Sequence, residues 1–390
     1  MKKIISLALL GATTSLMAVG GEQAFLYKDP RIMGMGGANI AVGSYSTAIF
    51  SNPAGLVNIK KKHGYVVDIL SVGASASART QEFSNDLDEA GEDAQKISDL
   101  IDKYSGEVFN VQVNNYSSVS KNSDMFAWSI GILAATDIST IVHGNGSASG
   151  APLEVSGRGY GGLLLGGAKE YNTKLGKVDI GLGLKYIQQT SYEGPLYISD
   201  LQADDTMEAL KTKYEKNSSG FGVDLGVNYK PFENSIWHPA FGLSILNIGA
   251  MSMDNNFGGQ PATVNIGASI TPEVKFLNKL VLAVDYVDMF NANKIRVYTF
   301  DEGNDTQSHE DYADTDFMKR FRLGAGIGII DGQYFSSQIN LGLYQGAYTA
   351  GLDMEITVIK LNFATYQEQI GTGSVDIPDR RYMAQIGIGW

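Results

Sequence analysis

The sequence predicts an all-β protein: a fourteen-stranded antiparallel transmembrane β-barrel with an N-terminal hatch segment inside its lumen. Three observations carry that expectation. From residue 63 onward apolar residues recur at every second position, charged residues stand mid-segment on the opposite face, and long and short connections alternate along the chain.

The composition narrows the field first. The chain has 390 residues, no cysteine, 46 glycines, 20 tyrosines and 18% charged residues. Lacking thiols, it holds no disulfide scaffold, no thiol redox centre and no cysteine-ligated zinc. A formal net charge of -12 repels phosphate and argues against nucleic acid as a partner. Hydrophobic residues make up 44%, too many for a disordered chain and too few for a bundle of membrane helices.

Residues 1–20 read as a secretory signal. Lys2 and Lys3 supply a basic start, Ile4 to Leu10 an apolar stretch, and Gly11 to Gly20 a small-residue tail ending in Ala18-Val19-Gly20. With no cysteine there is no lipid attachment. No later run of about 18 apolar residues exists to make a membrane helix. Residues 21–60 are expected to form the hatch and residues 61–390 the barrel.

The strand argument rests on segments such as Val178, Ile180, Leu182, Leu184 and Tyr186, with Asp179, Gly181, Gly183 and Lys185 between them. Phe221 to Lys230, Phe321 to Ile329 and Tyr382 to Trp390 repeat the pattern. Successive strand side chains point to opposite faces, so each segment has one greasy face and one small or polar face. A soluble sandwich also alternates. Here Lys185, Lys230, Asp224, Asp285, Asp353 and Arg381 sit mid-strand, which a dry core penalises and a polar lumen accepts.

Strand starts are expected near 63, 107, 124, 155, 177, 217, 236, 262, 278, 318, 334, 347, 359 and 380. The division of 347–369 has the weakest marking, because neither Gly nor Pro stands near Thr357. Connections after odd strands are mostly long (80–106, 138–154, 193–216, 248–261, 291–317, 370–379), and those after even strands are tight. That asymmetry is the outer-membrane pattern, with the long side facing outward and both chain ends in the periplasm. Residues 95–104 and 201–214 have helical spacing, which suggests a lid on the barrel mouth or a surface that binds something.

Ahead of the barrel, Gly34-Met35-Gly36-Gly37 allows close backbone packing, and Asn52-Pro53-Ala54-Gly55 signals a bend. This small, apolar, non-alternating stretch suits a plug. Gly34, Gly36, Gly37, Asn52, Pro53, Ala54 and Gly55 are the candidate gate residues.

Enzyme signatures do not assemble. Gly157-Arg158-Gly159-Tyr160-Gly161-Gly162 satisfies G-x-G-x-x-G, but it opens a strand and no helix follows. His63, His143, His238 and His309 form no metal-binding motif. The acidic run from Asp301 to Asp316 reads as a solvated loop, with a divalent-cation site as the alternative. No cofactor, metal or catalytic residue is expected.

The stretch Arg31 to Leu56, the strand count and the ending Asp379-Arg380-Arg381-Tyr382…Trp390 together resemble the FadL-type outer-membrane barrels. Within that superfamily the chain resembles the branch of PorV-like and conjugal-transfer TraF-like proteins. The resemblance covers the mature chain in architecture, with its specific motifs at the two ends. It implies a fourteen-stranded barrel in the bacterial outer membrane that passes hydrophobic molecules such as long-chain fatty acids. The family's Asn-Pro-Ala hatch motif corresponds to Asn52, Pro53 and Ala54. The terminal aromatic read by the barrel-insertion machinery corresponds to Trp390, with Tyr382 in the same strand; many members end in Phe instead. Implied partners are outer-membrane lipid and lipopolysaccharide, that machinery, and a hydrophobic ligand or detergent. PorV-like relatives serve protein secretion, so the alternative is a component of a secretion or conjugal-transfer apparatus, with its proteins as partners and no solute carried. A non-specific porin is a third reading, which a plug would oppose.

Overall fold

A computed structural model describes residues 22–23, 25–59, 64–91, 93–123, 126–144, 151–201, 206–232, 234–249, 251, 253, 258–301, 306–370 and 377–390, without the side chains of 198, 201, 206–209, 295–301 and 306–311. The expected signal lies outside the described residues.

The strands are β1 (Val66–Ser77), β2 (Val108–Asn122), β3 (Ala127–Val142), β4 (Leu153–Thr173), β5 (Gly176–Leu196), β6 (Lys216–Lys230), β7 (Ala240–Gly249) and β8 (Thr263–Ile270). They continue as β9 (Lys279–Tyr286), β10 (Lys294–Asp301), β11 (Thr306–Ala313), β12 (Phe321–Asp331), β13 (Phe335–Tyr344), β14 (Ala347–Ile356), β15 (Ile359–Ile370) and β16 (Ile377–Gly389). Fourteen of them close into an antiparallel barrel in which β1 pairs with both β2 and β16. Each of the fourteen expected strands is present. The additional pair, β10 and β11, forms a separate hairpin within the loop 291–317, so that β9 pairs directly with β12.

The turns explain the register. Gln345 and Gly346 both have positive φ (50° and 80°), the left-handed pair that a two-residue hairpin between twisted strands requires. Thr357 takes φ 59° at the β14–β15 turn, with Ile356 opposite Ile359. A β-branched residue is unusual in that conformation, which is why the sequence marks this turn so weakly.

The outward face is greasy throughout. Ile132, Leu163, Ile180, Leu225, Leu341 and Ile386 are among the exposed apolar residues of the wall. Phe126, Leu175, Phe232, Phe276 and Tyr334 stand exposed at five of the short turns, where a membrane barrel carries its girdle. The sequence leads us to expect inward charges bathed by a wet lumen; several of them are instead withdrawn from solvent and paired with one another. Lys185 meets Asp224 at 2.8 Å, Lys230 meets Asp179 at 2.7 Å and Arg158 meets Asp137 at 3.1 Å. The lumen is too full for water to serve each charge, so they serve one another.

The wall is uneven in height. Strands β4 and β5 have 21 residues each, about twice the 9–11 that cross a bilayer, whereas β8 and β9 have 8. On the tall side the overhang keeps an apolar outward face, formed by Phe109, Ile138, Val142, Leu153, Val155 and Tyr192. Helices Thr80–Ala90, Ala94–Lys103 and Thr206–Tyr214 cover it. Phe83 stacks on Phe109 at 4.2 Å, and a Cβ at Gly194 would come within 2.5 Å of the Tyr214 ring. The expectation of a lid on the mouth is therefore corrected: these helices clothe the flank of the overhanging strands. The reason is parity, since the residues they cover alternate with the inward ones.

Candidate functional site

The described N-terminal residues run along the inner wall, against the polar and glycine face. Asp29 caps the short helix Pro30–Gly34 by accepting from the Arg31 N–H at 2.9 Å, and it also accepts from the Thr47 hydroxyl at 2.5 Å. Asn52 caps the 3-10 turn Pro53–Asn58, its Oδ1 accepting from the Ala54 N–H at 3.0 Å while its Nδ2 donates to the Ile40 carbonyl at 2.9 Å. The bend signalled by Asn52-Pro53 is this cap.

The seven candidate gate residues fall into two groups on nearly opposite arcs of the barrel. Gly34, Gly36 and Gly37 lie against β12, β13 and β14. A Cβ on Gly36, whose φ is +66°, would stand 2.3 Å from the Leu323 carbonyl, and one on Gly34 would meet Gly351 Cα at 3.0 Å. The Thr349 hydroxyl donates to the Gly34 carbonyl at 2.7 Å. Asn52, Pro53 and Ala54 lie against β5 and β6, and Gly55 packs back to back with Gly43. A Cβ at Gly226 would stand 2.0 Å from Asn52 Oδ1, and one at Gly181 would stand 2.2 Å from the Ala54 nitrogen. Gly181, Gly226, Gly324 and Gly342 of the wall are thus places where a second backbone lies, rather than open lumen.

Charge ties the same segment down. Arg381 of β16 donates NH1 to Glu22 Oε1 at 3.1 Å and NH2 to Glu22 Oε2 at 2.9 Å, and its Nε binds Asp379 at 2.6 Å. Lys28 reaches Glu22 at 2.9 Å and Glu368 at 2.6 Å. All are buried. Burial would raise the Glu22 carboxyl, but Arg381 and Lys28 outweigh it and hold the group well below the usual carboxylate range. Burial likewise opposes the Lys28 ammonium, and Glu22 and Glu368 reverse that, keeping it well above its ordinary value.

On the long-loop side of the segment lies a cavity of about 240 Å³. Its lining is mixed: Phe25, Leu26, Ile32, Phe50, Pro261 and Val287 are apolar, Lys28, Lys185 and Arg322 are cations, Asp29 and Asp288 are anions, and amide side chains such as Asn247 and Asn265 stand among them. On the turn side two recesses of about 470 and 290 Å³ share Ser44, Asn58 and Lys279. Residues of the segment thus line both the first cavity and the two turn-side recesses.

The other motifs supply no site. Gly157–Gly162 lies within β4 with no helix after it. His143 lies 3.5 Å from Glu154 and His238 3.0 Å from Glu273, and among the described residues no three His, Asp or Glu side chains gather to hold a metal. His63 and the side chains of Asp301 to Asp311 lie outside the described residues. Tyr382 and Trp390 face outward, and the Trp390 backbone exchanges hydrogen bonds with Val67 at 2.9 and 3.0 Å, closing the barrel.

Residues 109–337 match the family described as "F plasmid transfer operon, TraF, protein", well over half of the chain. This chain belongs to the TraF family. In three dimensions the TraF-family chain shares its barrel fold with solved hydrocarbon channels. Similar solved structures include a deltaS2 mutant of the TodX monoaromatic hydrocarbon channel, with TM-score 0.56, 11% identity, 93% of this chain and 98% of that one. The Pseudomonas putida toluene transporter TodX aligns at 0.53 and 12%, over 94% and 99%, and the Ralstonia pickettii toluene transporter TbuX at 0.50 and 13%, over 94% and 98%. No curated protein matches this TraF-family sequence.

Sequence reasoning placed the segment motifs but missed Glu22, Lys28 and Glu368. Arg381 and Asp285 were visible as mid-strand charges. That signal points to an inward partner without saying which one.

Proposed function

We propose that the protein is a bacterial outer-membrane channel for small hydrophobic molecules, with residues 22–59 as its hatch. The observation that carries this reading is the cavity of about 240 Å³ seated on the long-loop side of that segment, with Phe25, Leu26, Ile32, Phe50, Pro261 and Val287 as its apolar part. Ligand pockets usually run about 300–1,000 Å³, so a single-ring hydrocarbon suits the cavity as it stands. A long-chain fatty acid needs the segment displaced. The fold shared with hydrocarbon channels supports the same class of solute. Outer-membrane lipid and lipopolysaccharide surround the greasy belt, and Tyr382 and Trp390 serve as the insertion signal. Proteoliposomes should accumulate labelled toluene, and then labelled fatty acid, faster than protein-free vesicles; equal uptake of both overturns the proposal.

Family membership favours a second reading, a component of a conjugal-transfer or secretion apparatus that carries no solute. Photo-crosslinkers placed in the loops 80–106 and 193–216 should then capture one dedicated protein in cells. Uptake without a captured partner decides for the channel.

A further inference from the structure

Arg322 of β12 and Asp285 of β9 are direct cross-strand partners on the inward face. Side chains so opposed stand about 5 Å apart at Cβ, and both of these are buried. An acid and a base in that relation normally pair. Here, among the described residues, they do not. Asp285 Oδ2 instead accepts from the Asn39 N–H at 2.6 Å and the Ile40 N–H at 2.8 Å, leaving Oδ1 buried without a partner. Arg322 lies over the Tyr344 ring at 4.0 Å and donates NH1 to the Phe321 carbonyl at 3.1 Å. Glu368 is no substitute, because Lys28, Gln345 and Tyr344 already occupy it.

The N-terminal segment touches both members of the pair. A Cβ on Gly37 would stand 3.2 Å from Arg322 Cδ, and two residues later the chain reaches Asp285. Residues 37–40 thus contact both members of a matched pair of buried charges.

We infer that Asp285 and Arg322 are alternative partners in a two-state latch: the seated segment holds them apart, and they close on each other when it leaves. Without Arg322, departure would leave the Asp285 carboxylate without its two backbone donors and with no counter-charge opposite, which opposes the vacated state. With Arg322 waiting opposite, the two backbone hydrogen bonds are exchanged for an ion pair. The latch makes seating reversible. The inference rests on the hatch reading above.

The chain contains no cysteine, so Ala48→Cys places one thiol at a fully buried position of the segment. Its reaction with a water-soluble maleimide in the folded protein reads how often the segment leaves. Asp285→Asn is expected to speed labelling about tenfold and Arg322→Gln to slow it about tenfold. Arg322→Gln should change the rate less than about twofold in the Asp285→Asn background, because no carboxylate remains to be stranded. Arg322→Lys, which keeps the charge, should label at nearly the parent rate. Heat-modifiable gel migration verifies the fold of each variant. If Arg322→Gln is silent, or acts by the same factor in both backgrounds, the latch is wrong while the hatch stands. If the thiol is unreactive in every folded variant and reactive after boiling, the segment never leaves, and hatch and latch fall together.

Discussion

Glu22 and Arg381 form a two-point ion pair across 359 residues of sequence, fastening the start of the described chain to the last barrel strand. Neither group reaches water, and each has further partners in Lys28 and Asp379. Removing one member of such a pair leaves the other charged and buried, a cost of about 3–5 kcal/mol. Arg381→Met should therefore lower the temperature at which the barrel loses its compact gel migration. Glu22→Gln combined with Arg381→Met should cost less than the two single changes added together. Strict additivity would mean the pair is not coupled.

The same pair fixes a pH dependence. Glu22 is depressed in the folded protein, so its contribution is complete above the unfolded carboxyl value of about 4.3 and is lost as pH falls through the folded value. The stability gap between the parent protein and Glu22→Gln should be constant from pH 8 to about 5 and shrink only below about 4. Thermal unfolding in detergent across that range measures it. A gap that closes already near neutrality would show that the network does not hold Glu22 ionised.

The barrel was legible because its signal is local. Val178 to Tyr186 and Phe321 to Ile329 alternate without interruption, and each pair of residues reports its own face. The helix Thr80–Ala90 was not foreseen, since its buried face amounts to little more than Phe83 and Ala90 in an otherwise polar stretch. The β10–β11 hairpin was read as acidic loop for a similar reason. The seat of the N-terminal segment was half legible. Gly34 to Gly37 and Asn52 to Gly55 stood out as a motif, yet Gly181, Gly226 and Gly324 read only as small lumen residues. Which wall glycine receives which part of the segment is a long-range fact that periodicity does not encode. The tether from Glu22 to Arg381 is hidden in the same way.

Gly226 offers a test of the seat. A methyl group there would stand 2.0 Å from Asn52 Oδ1, and backbone at Ala54 is 2.9 Å away, so the cap cannot remain where it is. Gly226→Ala should displace the Asn52 turn while leaving the β5–β6 ladder, whose outward residues are untouched. The cost in stability is expected to resemble loss of an N-cap, about 1 kcal/mol or more. Raised single-channel conductance in planar bilayers is the expected readout, and Gly220→Ala, farther along β6, serves as control. Equal currents in both would mean the turn does not obstruct the lumen.

Removing residues 21–58 altogether carries the argument to its limit. The wall strands pair with one another all the way round the barrel without help from the segment, and β1 closes on β16 beyond residue 66. Closure should therefore survive the deletion. What is lost is the occupant of the glycine grooves at Gly181, Gly226, Gly324 and Gly342, together with the counter-charges Glu22 and Lys28 that face Arg381 and Glu368. Those inward charges then meet water in a widened lumen, which relieves the burial penalty that pairing had offset. The deleted protein should be less heat-stable, still heat-modifiable on gels, and far more conductive than the full chain. A folded deletion variant with unchanged current would place the obstruction elsewhere, in the crowded polar side chains of the wall itself.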